Sequence, residues 1–213
     1  MAKQTLEYFS QDEIKRGIFL ALNNAEDLIK EGDLLFENAM VLRAYSLYQL
    51  SLEELGKAGQ LYDLLLTIKV GIEINWNKVN DEFSSHKEKT KQAIDFEICS
   101  IIPPLLREKG LKKTKVLQSL KELVQQQTDV FNSNKLKNDS LYLGISVDKF
   151  ISPKDIITKE MTELLKKDLT VRYNIAKKIL TDFANGKDDE TINEIREIVL
   201  KHRLQKNLEI RNK

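Results

Sequence analysis

Two carboxylates and an ammonium interrupt the most apolar stretch of this 213-residue chain. In "SLEELGKAGQLYDLLL", residues 51–66, Glu53, Glu54 and Lys57 sit among leucines, with Gly56 beside the lysine. At about 100° per residue, Arg43, Leu47, Leu50, Glu54, Lys57 and Leu61 share one helical stripe, so three charges lie on a face with leucines. An unpaired charge buried there would cost several kcal/mol, so Glu54 needs a cation, a donor or water. Glu53 lies further round and can pair with Lys57 at i,i+4, a weak contact if exposed. A second oddity is His86, in "FSSHKEK", at an apolar position of the next helical pattern, with Lys89 one turn on. If the two helices pack antiparallel, His86 faces the Glu54 and Lys57 region. A carboxylate beside an imidazole orients the ring and favours its charged form. Such a pair can move protons, or it can be a structural hydrogen bond that fixes helix register. Spacing alone favours the structural reading, because perturbed groups only suggest function.

The elements that carry these residues read as helices. "SQDE" at 10–13 is a capping box, after which Ile14, Ile18, Ala21, Leu22, Ala25, Leu28 and Ile29 recur at helical spacing up to Gly32. A second, long helix is expected over roughly 33–70, ending before Gly71, and should be the most buried element. A third, from "INWNKVNDEF", carries Val79, Phe83, His86, Ile94 and Ile98 inward and stops at Pro103 and Pro104. A fourth is expected over roughly 112–131. "NSNKLKNDSLYLGISVDKFI" then loses the period, and "LYLGISV" reads as a short extended piece packed on the bundle, near 141–151. "SPKD" at 152–155 restarts helix with Ser152 as N-cap and Pro153 first, running to about Ala184. A charge-rich C-terminal helix follows. The expectation is an all-α bundle over residues 1–185 with a charged helix over 186–213.

Composition narrows the function classes. Hydrophobic residues make up 41% and charged residues 31%, too apolar for a disordered chain. Lys and Arg number 34 against 33 Asp and Glu, a net charge of +1, which gives no support to tight duplex binding. Cys99 is the only cysteine, so an internal disulfide is excluded and a small core role is expected. The N-terminal "MAKQTLEYFSQDEIKRG" lacks the apolar core of a signal peptide, and charges break every apolar stretch before it could span a bilayer. A soluble, cytoplasmic protein without membrane contact is expected. A di-metal bundle needs inward carboxylates and Glu-x-x-His pairs, and neither histidine has an acid three residues before it. No metal and no cofactor are expected.

These residues also carry a family resemblance. "NAEDLIKEGDLLFENAMVLRAYSLYQLSLEELGKA" followed by "FSSHKEK" resembles the AbiV branch of the HEPN superfamily. The marks are Asn24-Ala25, the Glu-Glu-Leu-Gly-Lys core at 53–57, His86-x-x-Lys89, Leu141-Tyr142, and the Ser152-Pro153 helix start. They appear in the family's order, which makes the set more specific than any member. The family's Leu-Tyr-Val-Asp reads "LYLGISVD" here, so its aspartate is displaced to Asp148 or lost. The resemblance implies a HEPN-like helical bundle that is dimeric and limits phage replication in abortive infection. It also implies a metal-independent ribonuclease as one activity, with an Arg and a His four to six residues apart. Arg196 and His202 in "REIVLKH" fit that spacing. They are secondary candidates, because they fall outside the resembling region and Glu197 replaces the usual small polar residue.

Two readings follow. In the first the chain is a ribonuclease that shuts down translation, with His86 as acid or base, Lys57 or Lys89 on the phosphate, and Glu54 as orienter. In the second it is a non-catalytic helical protein that binds a phage-encoded activator or the ribosome. Exposure of His86 discriminates them: a structural His86 would be sealed by Phe83 and Leu50. In either reading a homodimer is expected.

Overall fold

The computed structural model describes residues 5–94 and 130–187, with side chains from Lys135 onward in the second stretch. Helix α1 spans Gln11–Glu37, α2 Val41–Val70 and α3 Trp76–Ser84. Helix α4 starts at 86 and is described as far as 94. Then come α5 (Val130–Leu141), strands β1 (Gly144–Ile145) and β2 (Phe150–Ile151), and α6 (Lys159–Ala184). The strands pair antiparallel, Gly144 opposite Ile151 and Ile145 opposite Phe150. The expected helical bundle with a short extended segment is therefore present. Cys99, the expected fourth helix over 112–131 up to residue 129, and residues 188–213 of the C-terminal helix lie outside the described residues.

Helix α1 starts where Ser10 accepts from the Glu13 amide at 3.2 Å, and the Glu13 carboxylate turns to Arg16 instead of reaching back. It presents Ile14, Ile18, Leu22 and Ala25 to Leu52, Leu55 and Leu65 of α2. At their crossing the buried Ser51 hydroxyl donates to the Ala25 carbonyl at 2.8 Å. Helix α6 closes the core with Leu169, Ala176, Leu180 and Phe183, the last meeting Tyr62 edge-on at 4.9 Å. Almost all of α2 is buried or half-buried, as its all-round apolar pattern predicts. Left-handed Gly71 ends it, at φ 78°.

Several boundaries differ from the sequence expectation. Residues 33–37 belong to α1, and the chain turns at 38–40, with Ala39 at φ 60°. Gly32 does not end the first helix. A Cβ there would come within 2.6 Å of the Tyr48 ring, so the glycine makes room for that tyrosine. The Tyr48 hydroxyl donates to Asp33 at 2.6 Å, and Lys166 of α6 reaches the same carboxylate at 2.9 Å. Burial first, then Asp33, push the phenol far above its ordinary range. Removing this hydroxyl as Tyr48→Phe should cost about 1.5 kcal/mol, the value of a hydrogen bond to a charged group, read from the urea midpoint.

The expected third helix is two. Ser85 breaks it at φ −79°, ψ 119°, and its hydroxyl caps α4 by accepting from the Glu88 amide at 3.3 Å. The segment expected to lose its period after 132 is instead helical to Leu141. Ser152 and Asp155 form the reciprocal capping box, but around a single 3-10 turn. Thr158 caps α6 itself.

Candidate functional site

The fold brings Glu53 of α2, His86 of α4 and Lys137 of α5 together. The break at Ser85 makes His86 the first residue of α4, where its ring stands beside α2 while 55% of the side chain stays exposed. Its Nδ1 lies 2.5 Å from Glu53 Oε2. The other carboxylate oxygen, Oε1, accepts from the Lys137 ammonium. Glu53 and Lys137 are both buried. Helix α5 is fixed against α2 two turns away, where the Ser46 and Ser140 hydroxyls meet at 2.6 Å. Ser140 also reaches the Lys137 carbonyl at 2.6 Å.

Burial is the largest influence on Glu53 and pushes its carboxyl upward. The hydrogen bonds and charges of Lys137 and His86 together outweigh it, so the group sits below its ordinary 4.5. Glu53 is therefore an anion at neutral pH.

Gly56 explains how α4 comes close enough. A Cβ on Gly56 would overlap the Lys89 carbonyl oxygen and lie 2.8 Å from the Lys89 Cα. The two helices thus cross backbone to backbone, one helical turn past His86. That contact buries Lys89. Its ammonium makes no ion pair among the described residues. Burial first, then the Lys57 charge, hold it below 10.5, while Glu53 and Glu54 act in the opposite sense.

The expected pairing of charges is rearranged. Lys57 pairs with Glu54 at i,i+3, not with Glu53 at i,i+4. The carboxylate on His86 is Glu53, not Glu54. The Glu54–Lys57 pair is the partly exposed one, with 17% and 30% of the two side chains accessible. It lines one end of a groove of about 480 Å³ walled by Ile14, Leu20, Leu61 and Phe83. Phe83 and Leu50 do not seal His86. Lys89 links the expected residues: the charges of Lys57, Glu53 and Glu54 all act on it, and His86 joins through Glu53, with no hydrogen bond or ion pair from His86 to Glu54, Lys57 or Lys89 among the described residues. The secondary pair, Arg196 and His202, lies outside the described residues.

The sequence pattern does not mark Lys137, and it gives Glu53 only a weak i,i+4 pairing with Lys57. Lys137 stands in a polar run, "NSNKLKNDS", whose helical period is too weak to mark a face. For Glu53 the helical angle gave the direction but not the neighbour, because α5 covers a side of α2 that the leucine stripe does not mark.

Among the described residues no three His, Cys, Asp or Glu side chains converge as metal ligands, and no helix is long and apolar enough to cross a membrane. The chemistry available is proton movement at His86, whose charged partner among the described residues is the Glu53 carboxylate. Glu53 holds Nδ1, which turns Nε2 away from the carboxylate. No curated protein and no solved structure matches the chain. A family model does, HEPN_AbiV, described as AbiV, over residues 13–169.

Proposed function

The chain belongs to the AbiV family of HEPN proteins, which act in abortive infection, and we propose that it limits phage by cutting RNA and so stopping translation. One observation carries this reading: the His86 ring is half exposed, while its inner nitrogen is held by a buried, ionised carboxylate. A merely structural histidine gains nothing from that exposure. An acid–base histidine needs it.

The reaction suited to this site is transesterification. Neutral His86, with Nδ1–H on Glu53, takes the 2′-OH proton at Nε2 while that oxygen attacks the adjacent phosphorus. The bond to the 5′-oxygen breaks, and the proton passes from the imidazolium to that leaving oxygen. The products are a 2′,3′-cyclic phosphate and a 5′-OH. Lys57, set by Glu54, is the accessible cation for the phosphate oxygens, and buried Lys89 adds field without contact.

The second reading, a non-catalytic binding protein, is favoured by the hairpin. Tyr142, Leu143, Ile145, Val147 and Phe150 all stand in solvent there. In that reading this face meets a second copy, a phage-encoded activator or the ribosome.

Purified protein incubated with total RNA in EDTA separates the readings. Cleavage by the wild type should fall by about 10²- to 10³-fold in folded His86→Ala and persist in His202→Ala. Loss in His202→Ala instead would move the chemistry to Arg196 and His202. Absence of cleavage by every folded form would favour the binding reading.

A further inference from the structure

We propose that Lys137 is the positioning residue of this site: through Glu53 it dictates which nitrogen of His86 carries the proton. The inference deepens the ribonuclease reading and rests on it for its functional meaning. Its structural content stands on geometry alone.

The Glu53 carboxylate is divided between two donors on two helices, His86 Nδ1 at Oε2 and the Lys137 ammonium at Oε1. Lys137 is buried, so water cannot replace Glu53 as its partner, nor can Lys137 itself touch RNA. Its backbone is fixed because Ser140, one turn on, is tied to Ser46 of α2. The carboxylate therefore cannot turn away from His86 without abandoning a buried cation.

An ionised carboxylate has only acceptor oxygens. Facing one at 2.5 Å, a neutral imidazole must put its proton on Nδ1, which leaves the Nε2 lone pair free. Without Lys137 the balance reverses. Glu53 then loses both its buried counter-charge and its second anchor, and its carboxylate can turn off Nδ1. Released from the carboxylate, the neutral ring takes the Nε2–H tautomer that an unconstrained histidine side chain prefers. A ring in that tautomer has no lone pair to offer a 2′-OH. The cation thus controls a nitrogen it never touches.

The test is nitrogen-15 NMR of labelled histidine across pH in the full chain, in wild type, Lys137→Met and Lys137→Arg, with His202→Gln added to assign His86. The wild type should show neutral His86 as the Nδ1–H tautomer. Lys137→Met should convert it mainly to Nε2–H, and Lys137→Arg should restore Nδ1–H. Steady-state cleavage should follow the tautomer: a kcat loss of at least tenfold in Lys137→Met with KM little changed, and recovery in Lys137→Arg. A wild-type ring in the Nε2–H tautomer overturns the proposal even if Lys137→Met does not fold. So does Lys137→Met with an unchanged tautomer. The predicted tautomer switch in a chain that cleaves no RNA would uphold the role of Lys137 and overturn the ribonuclease reading instead.

Discussion

Gly56→Ala should destabilise the protein by roughly 3 kcal/mol or more, although alanine is the better helix former by about 1 kcal/mol. The added methyl would overlap the Lys89 carbonyl oxygen. That obstacle is backbone inside a capped helix, so no rotamer change relieves it. Helix α4 must shift off α2, carrying His86 away from Glu53 and opening the burial of Lys89. Gly17→Ala is the internal control. Its methyl would meet only the end of the Leu61 side chain, at 3.0 Å, which can give way. Urea unfolding of both variants should leave Gly17→Ala near the wild type and move Gly56→Ala to a much lower midpoint. A Gly56→Ala midpoint within experimental error of the wild type would mean that α2 and α4 do not cross backbone to backbone. The cross-helix pairing of His86 with Glu53 would then lose its basis.

Gly56 also shows how far the sequence could be read. The residue type and its place beside Lys57 were visible, and so was the presence of His86 one helix later. The all-α architecture followed from periodicity and caps: Ser10 and Gly71 mark boundaries by local chemistry that no distant contact overrides. Where the reading failed, the deciding contact was long-range. Gly32 has the signature of a stop, yet it lies inside α1 because Tyr48, sixteen residues on, needs the space. Ser85 is the local exception: its hydroxyl caps a new helix where the apolar pattern reads as continuous. Glu53 and Glu54 are adjacent carboxylates of the same type, and a rotation of about 100° puts one in the core and the other at a groove. Which way round they fall depends on α5, whose polar sequence gives no hint that Lys137 turns inward. A buried acid implies a cation somewhere; the sequence cannot say which of its lysines answers.

Removing the charge of Glu53 should then be the other costly change. Glu53→Gln leaves the buried Lys137 ammonium without its anion, and breaking a buried pair from one side costs about 3–5 kcal/mol. Glu54→Gln, by contrast, removes half of a partly exposed pair and should cost no more than about 1 kcal/mol. Adding Lys137→Met to Glu53→Gln should recover most of the loss, since the orphaned charge leaves with the lysine. The double-mutant cycle in urea measures that coupling, and additivity of the two single losses would show that the pair does not interact. Acid supplies a second axis for the same comparison. The folded carboxyl of Glu53 lies below its ordinary 4.5, so its contribution is complete above about pH 4.5 and is lost as pH falls through the lower folded value. The wild type should therefore be ahead of Glu53→Gln by a constant margin at neutral pH, and that margin should close below pH 4.5. A margin independent of pH would assign the loss to packing of the amide. A margin that closes only in acid ties the stability of the cluster to the same negative charge that orients His86.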